Sequence, residues 1–170
     1  MKNIFYILLL GIIYSQPDCD GERYTDEIFN QVNVTSNVLY GGNYNPNIWG
    51  QNEWQDLYLD IYEPVGDNVE DRPLVFFLYG GSFVAGSKTN GDVVELCTRY
   101  AKMGYVAAAI DYRLTTDLIW VSNPETAYRA TTKAMHDLKG AIRWFRMNDE
   151  NEKKMKLNED NSRYEKKIRK

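Results

Sequence analysis

The sequence predicts an α/β fold: an antiparallel pair of strands leading into a parallel βαβ unit with flanking helices. Three observations predict it. Residues 54–62 (WQDLYLDIY) alternate, with Leu57, Leu59 and Ile61 on one face and Tyr58, Asp60 and Tyr62 on the other, the period-2 pattern of a strand. Leu74–Leu78 (LVFFL) and Tyr105–Ile110 (YVAAAI) are short, unbroken apolar runs, as expected of parallel strands covered on both faces. Between those runs, Val93, Val94, Cys97, Tyr100 and Ala101 fall on one face of a helix over Asn90–Met103, and Gly104 stands where a helix cap belongs.

The other elements follow in chain order. Lys2, the apolar stretch Ile4–Ile13 and Ser15 before Gln16 read as a signal peptide over residues 1–15. An apolar run of about ten residues is too short to span a bilayer as a helix; the competing reading is a buried N-terminal strand. Gln16-Pro17-Asp18 lacks the small apolar residues of a lipoprotein processing site, so no stable membrane anchor is expected at Cys19. Residues 16–27 form an extended, turn-rich lead-in. Ile28–Leu39 alternates at Val32, Val34 and Val38 and predicts a strand. Its Asn33-Val34-Thr35 fits a glycosylation acceptor, a short pattern that often arises by chance. Residues 40–53 (YGGNYNPNIWGQNE), punctuated by Gly, Asn and Pro, predict a loop. The aromatic residues Tyr40, Tyr44, Trp49, Trp54, Tyr58 and Tyr62 read as strand and loop packing in preference to a carbohydrate platform. Pro64 ends the second strand. Further on, Asn123-Pro124-Glu125 starts a helix, and a stripe from Ala127 to Phe145 carries it to about Met147.

The chain then changes character. Residues 149–170 carry eight Lys/Arg and six Asp/Glu, a local charge of +2 within a total of −4, which leaves −6 on residues 1–148. This tail is either a solvated helix or disordered, so the chain divides into residues 1–15, a domain over 16–148 and the charged segment 149–170. Apolar content of 44% with 14% aromatics is enough to build a core in that one domain. An acidic balance argues against nucleic acid or an anionic membrane as partner. One histidine and two distant cysteines do not make a metal site, and no cofactor is expected. In an exported chain, Cys19 and Cys97 are candidates for one disulfide; the alternative is one exposed and one buried thiol.

The chemistry concentrates after Leu78. Tyr79-Gly80-Gly81-Ser82 turns the chain at the carboxyl end of a strand, the edge where α/β sheets bind ligands. Gly81-x-x-x-x-Gly86-Ser87-Lys88-Thr89 approaches a phosphate loop, but Ser87 separates the glycine from the lysine. That insertion would rotate the lysine off the phosphates, and nucleotide binding is not expected.

Taken together, LVFFLYGGSFVAGS, VAAAIDYRL and DLKGAIRWFR closely resemble the N-terminal third to half of secreted carboxylesterase-like (type-B carboxylesterase or lipase-like) α/β-hydrolases, over residues 28–147. The resemblance implies that Gly80, Gly81 and Ser82 form an oxyanion-hole loop. Gly81 and Ser82 would supply backbone N–H donors to the developing oxyanion, and Gly80 would let the backbone approach. The competing reading is a tight turn needed only for strand-to-helix packing. Asp111, Arg113 and Asp137 are implied to be structural. The family's nucleophile lies on a G-x-S-x-G elbow, followed by an acid and a histidine. This sequence contains no G-x-S-x-G, and its only histidine, His136, lies within the predicted last helix, as a surface or packing residue. Ser82 and Ser87 have no base and are not expected to act as nucleophiles. The expected architecture is therefore an incomplete α/β-hydrolase fold lacking the elbow strand and everything after it, in a truncated or frame-shifted chain with a read-through tail from about residue 148. Leu74–Leu78 would be left with an open edge prone to self-association. Two functional readings remain: the N-terminal part of an exported carboxylic-ester hydrolase acting on small esters, or an inactive fragment or binding protein of the same fold.

Overall fold

The computed structural model describes residues 21–47, 49–116 and 123–168, with side-chain surroundings as far as Asp149. The expected signal segment and Cys19 lie outside the described residues. Strands β1 (Val32–Pro46) and β2 (Asn52–Pro64) form a long antiparallel hairpin, in register from Val32 opposite Pro64 to Pro46 opposite Asn52. The loop expected over residues 40–53 is thereby corrected: most of it is strand. Gly42 is not a turn residue. It sits under the Trp54 indole, whose ring a Cβ would meet at 2.5 Å; a glycine in a strand marks such close approach as readily as a bend. Two register shifts, between Thr35 and Val38 and between Leu39 and Gly41, interrupt β1. Asn37 lies in the first, in the left-handed region at φ 58°, a conformation that asparagine tolerates better than most residues.

The remaining strands are β3 (Leu74–Leu78) and β4 (Val106–Ile110), joined through helix α1 (Gly91–Lys102). The sheet order is β1-β2-β4-β3, with β4 antiparallel to β2 and parallel to β3. The expected antiparallel start and parallel βαβ unit are both present. β4 is central and β3 terminal, so one side of β3 is open among the described residues.

β4 explains how both faces are covered. Ala107, Ala108, Ala109 and Ile110 are all fully buried. Alanine is a poor strand former in general, but a strand pressed between helices favours small side chains. Ala107 and Ala109 join Val93, Cys97 and Ala101 of α1, with Tyr62, Tyr79 and Tyr112. Ile110, on the opposite face by strand alternation, packs with Leu57, Leu59, Tyr40 and Ala141, flanked by Phe76, Leu138 and Phe145. Helix α2 (Pro124–Ile168) supplies that second layer. The side chain of Asn123 caps it, accepting from the N–H of Glu125 at 3.0 Å. The charged segment, for which helix and disorder were both open, continues α2 as helix to Ile168. Asp60, on the face of β2 opposite Leu57 and Leu59, is 3% exposed, because that face is covered as well.

Candidate active-site turn

β3 ends at Leu78, and the chain then takes a sequence of backbone angles that few residues adopt willingly. Gly81, Ser82 and Phe83 have φ of 133°, 52° and 62°. The left-handed region costs a residue with a side chain about 1–2 kcal/mol, so Ser82 and Phe83 must be held there by what surrounds them. Gly81 is obligatory, since a Cβ there would run into the carbonyl oxygen of Ala85. That close approach comes from a tight internal turn in which the Gly81 carbonyl accepts from the N–H groups of Val84 at 3.1 Å and Ala85 at 3.2 Å. Gly80, Gly81 and Ser82 are all exposed, and none of their N–H groups donates to a described residue. The turn therefore presents, at the carboxyl end of β3, a short run of backbone donors without a partner among the described residues.

Both ends of the turn are fixed in the buried sheet. Tyr79 is stacked on Tyr112 with ring centroids 4.4 Å apart, and each hydroxyl donates to the other residue's carbonyl. Burial pushes the phenol of Tyr79 well above its ordinary pKa, so it remains a donor at any physiological pH. At Gly86, a Cβ would lie 2.7 Å from the Gly80 carbonyl oxygen and against the Tyr79 ring, so glycine lets the two arms of the turn close on each other. The Phe83 carbonyl accepts from the N–H of Thr115 at 2.7 Å. At the far end, the Lys88 N–H donates to Asp111 Oδ1 at 2.8 Å, and the Lys88 Nζ lies 2.9 Å from Asp60 Oδ1 and 2.9 Å from Asn37 Oδ1. Asp60 also accepts from the Asn37 N–H at 2.7 Å. Burial raises the pKa of Asp111, aided by the charge of Asp60 and opposed by Lys88.

A second buried pair ties the end of β4 to α2. Asp137 accepts from the Arg113 N–H at 2.9 Å and holds its guanidinium through both carboxylate oxygens. Arg113 reaches on to the Tyr44 carbonyl at 2.9 Å. The expected structural roles of Asp111, Arg113 and Asp137 agree with these contacts.

Gly80, Gly81 and Ser82 lie in one exposed turn. His136 is exposed on α2 and borders a cleft of about 620 Å³ with Tyr40, Gly41, Leu57 and Trp144, a cleft that does not include the glycine turn. Ser87 Oγ is engaged with the Thr89 hydroxyl at 2.8 Å, and no imidazole or carboxylate is bonded to the hydroxyl of Ser82 or Ser87 among the described residues. Cys97 is fully buried and forms no disulfide with a described residue; its candidate partner Cys19 lies outside the described residues. No group of His, Cys, Asp and Glu that could hold a metal occurs among them, and no helix there is long and apolar enough to cross a membrane. Sequence reasoning missed Asp60, Asn37 and the Tyr79–Tyr112 pair, and it met Lys88 only as part of a failed phosphate loop.

A mixed sheet in the order β1-β2-β4-β3 with helices on both faces is an α/β arrangement, and the family model that matches it is α/β-hydrolase-like. The family model BD-FAE matches residues 59–162, and the chain belongs to the BD-FAE family. The match takes in the turn, Asp111, Arg113 and Asp137, and it extends past residue 148 into the charged part of α2. No curated protein matches the chain. Similar solved structures include brefeldin A esterase, a bacterial homologue of human hormone-sensitive lipase, at 20% identity and TM-score 0.35, covering 49% of this chain and 20% of that one. Esterase B from Lactobacillus rhamnosis is similar at 21% identity in two structures. One, inhibited by a tributyrin phosphonate, has TM-score 0.45 and covers 74% and 34% of the two chains; the other has TM-score 0.43 and covers 74% and 33%. The chain thus spans between a fifth and about a third of the length of these esterases.

Proposed function

We propose that the chain is the N-terminal part of an exported carboxylic-ester hydrolase and carries the oxyanion half of its active site in Gly80, Gly81 and Ser82. One observation carries this reading: the strained turn after β3 holds backbone N–H groups that no described residue uses. Acyl transfer places negative charge on the carbonyl oxygen of the tetrahedral transition state. Fixed N–H donors at that oxygen are worth about 3–4 kcal/mol each, because they need no reorganisation as the charge forms. Gly81 and Ser82 are the donors, and Gly80 leaves room for the substrate carbonyl. The nucleophile, acid and base belong to residues outside this sequence, which has no G-x-S-x-G and only His136. Export rests on the Lys2-led apolar segment and Ser15.

A titration of the ¹⁵N-labelled chain with methylphosphonate, a small oxyanion mimic, tests the reading. Weak, saturable shifts of the Gly81 and Ser82 amide signals are expected; unchanged signals at those two amides reject it. A fluorophosphonate probe is expected to leave the chain unlabelled, and covalent labelling of a serine would overturn the assignment of the nucleophile to other residues.

A further inference from the structure

We infer that Lys88 is the positioning residue of the oxyanion turn, an assignment that rests on the oxyanion reading above. The loop from Tyr79 to Lys88 holds three consecutive left-handed residues, Gly81, Ser82 and Phe83, in the middle and a fourth at Gly86. Strained backbone persists only where its flanks over-determine it. The N-terminal flank is held by the Tyr79–Tyr112 pair and Phe83 by the Thr115 N–H on its carbonyl; at the C-terminal flank, where Ser87 is bonded to Asn90, Lys88 reaches the sheet through both of its ends. Its backbone N–H is on Asp111 at the end of β4, while its ammonium, 6% exposed, is on Asp60 of β2 and Asn37 of β1. One residue thus ties the turn to β1 and β2 through its side chain and to the end of β4 through its backbone.

The geometry around Asn37 supports a dedicated arrangement. The register shift in β1 puts Asn37 at φ 58°, which lets its N–H reach Asp60 while its side-chain oxygen reaches Lys88. A regular strand could not present both groups to one buried pair. Gly86 then transmits the anchor: it packs on the Gly80 carbonyl and the Tyr79 ring, so a shift of the segment ending at Lys88 moves the arm that carries Gly80 and Gly81. The lysine that fails the phosphate-loop pattern by one residue is turned inward to an acid, and its charge is consumed in the sheet.

The test uses the full chain and the methylphosphonate titration. Lys88→Met removes the ammonium. Asn37→Gly keeps the left-handed backbone and the N–H to Asp60 and removes the side chain whose oxygen faces Lys88. Both variants are expected to move the Gly81 and Ser82 amide signals before any ligand is added and to weaken the phosphonate response about tenfold, the cost of misplaced donors. If the wild-type chain responds and the folded variants respond equally well, Lys88 serves stability alone and the inference fails. If Lys88→Met does not fold, Asn37→Gly decides the matter by the same reading. A wild-type chain whose Gly81 and Ser82 amides ignore the phosphonate would instead overturn the oxyanion reading on which the inference rests.

Discussion

The hydroxyl of Tyr79 donates to the carbonyl of Tyr112 at 3.2 Å, and the hydroxyl of Tyr112 donates to the carbonyl of Tyr79 at 2.8 Å, across rings inclined by only 16°. The two residues follow the parallel neighbours β3 and β4, so the exchange extends the sheet by side chains past the point where backbone pairing stops. Deleting one hydroxyl strands a buried carbonyl, which costs about 1–3 kcal/mol. Tyr79→Phe and Tyr112→Phe should each lower stability by that amount in urea unfolding. The double variant should lose less than the sum, since each single change already disturbs the shared stack; strict additivity would show that the two bonds act independently.

The Arg113–Asp137 pair is nearly solvent-free, at 6% and 4% side-chain exposure. Removing one charge from such a pair leaves the other buried without compensation, at about 3–5 kcal/mol. Asp137→Asn should therefore destabilise the chain strongly in denaturant unfolding. Glu125→Gln is the control: its bridge to Arg129 is exposed at both ends, and its loss should be close to undetectable.

Gly81 and Gly86 should reject alanine for separate reasons. At Gly81 the added Cβ meets the Ala85 carbonyl, at Gly86 it meets the Tyr79 ring and the Gly80 carbonyl, and both residues have left-handed backbone. Gly80→Ala, with open space around its Cβ, should leave the melting temperature almost unchanged. Thermal unfolding of the three variants should rank Gly80→Ala well above the other two, and equal melting temperatures would contradict the turn geometry.

Alkaline pH should weaken the fold through Cys97. Burial pushes its thiol up to about 12 from 9.0, with the Asp60 charge adding to the effect. A raised pKa means that the folded chain keeps a proton the unfolded chain releases. The stabilising contribution is complete below about pH 9 and is lost as pH climbs toward 12, with a slope of about 1.4 kcal/mol per pH unit for one group. Tyr62, raised by burial to about 12 from 10.0, steepens the loss from pH 10 upward. Cys97→Ala should flatten the slope of unfolding free energy against pH between 9 and 10. An unchanged slope would mean that Cys97 carries no titrating thiol, the result a disulfide to Cys19 would give.

Much of the local structure was legible from residue order. The apolar run of β3, the helical face of α1 with Gly104 after it, and the Asn123 cap of α2 all depend on neighbours a few positions away, and all lie where their patterns place them. The glycine turn was legible too, because Gly81 satisfies a backbone requirement no other residue meets so easily. The strand through Gly41 and Gly42 was not, since its hydrogen bonds belong to a ladder with β2 that outweighs local turn preference. Asp60 escaped for the same kind of reason: strand alternation gives a side, and only the packed sheet says whether that side is wet.

The amino-acid order by itself determined the α/β class, the position of the donor turn and the lack of a nucleophile motif, because propensity, periodicity and motif spacing are properties of short stretches. Tertiary structure alone decided what holds the turn in place. Tyr79 finds Tyr112 across 33 positions, and Lys88 finds Asn37 across 51. Such pairings arise when strands distant in the chain are laid side by side, and the burial that makes them strong exists only once the sheet has formed.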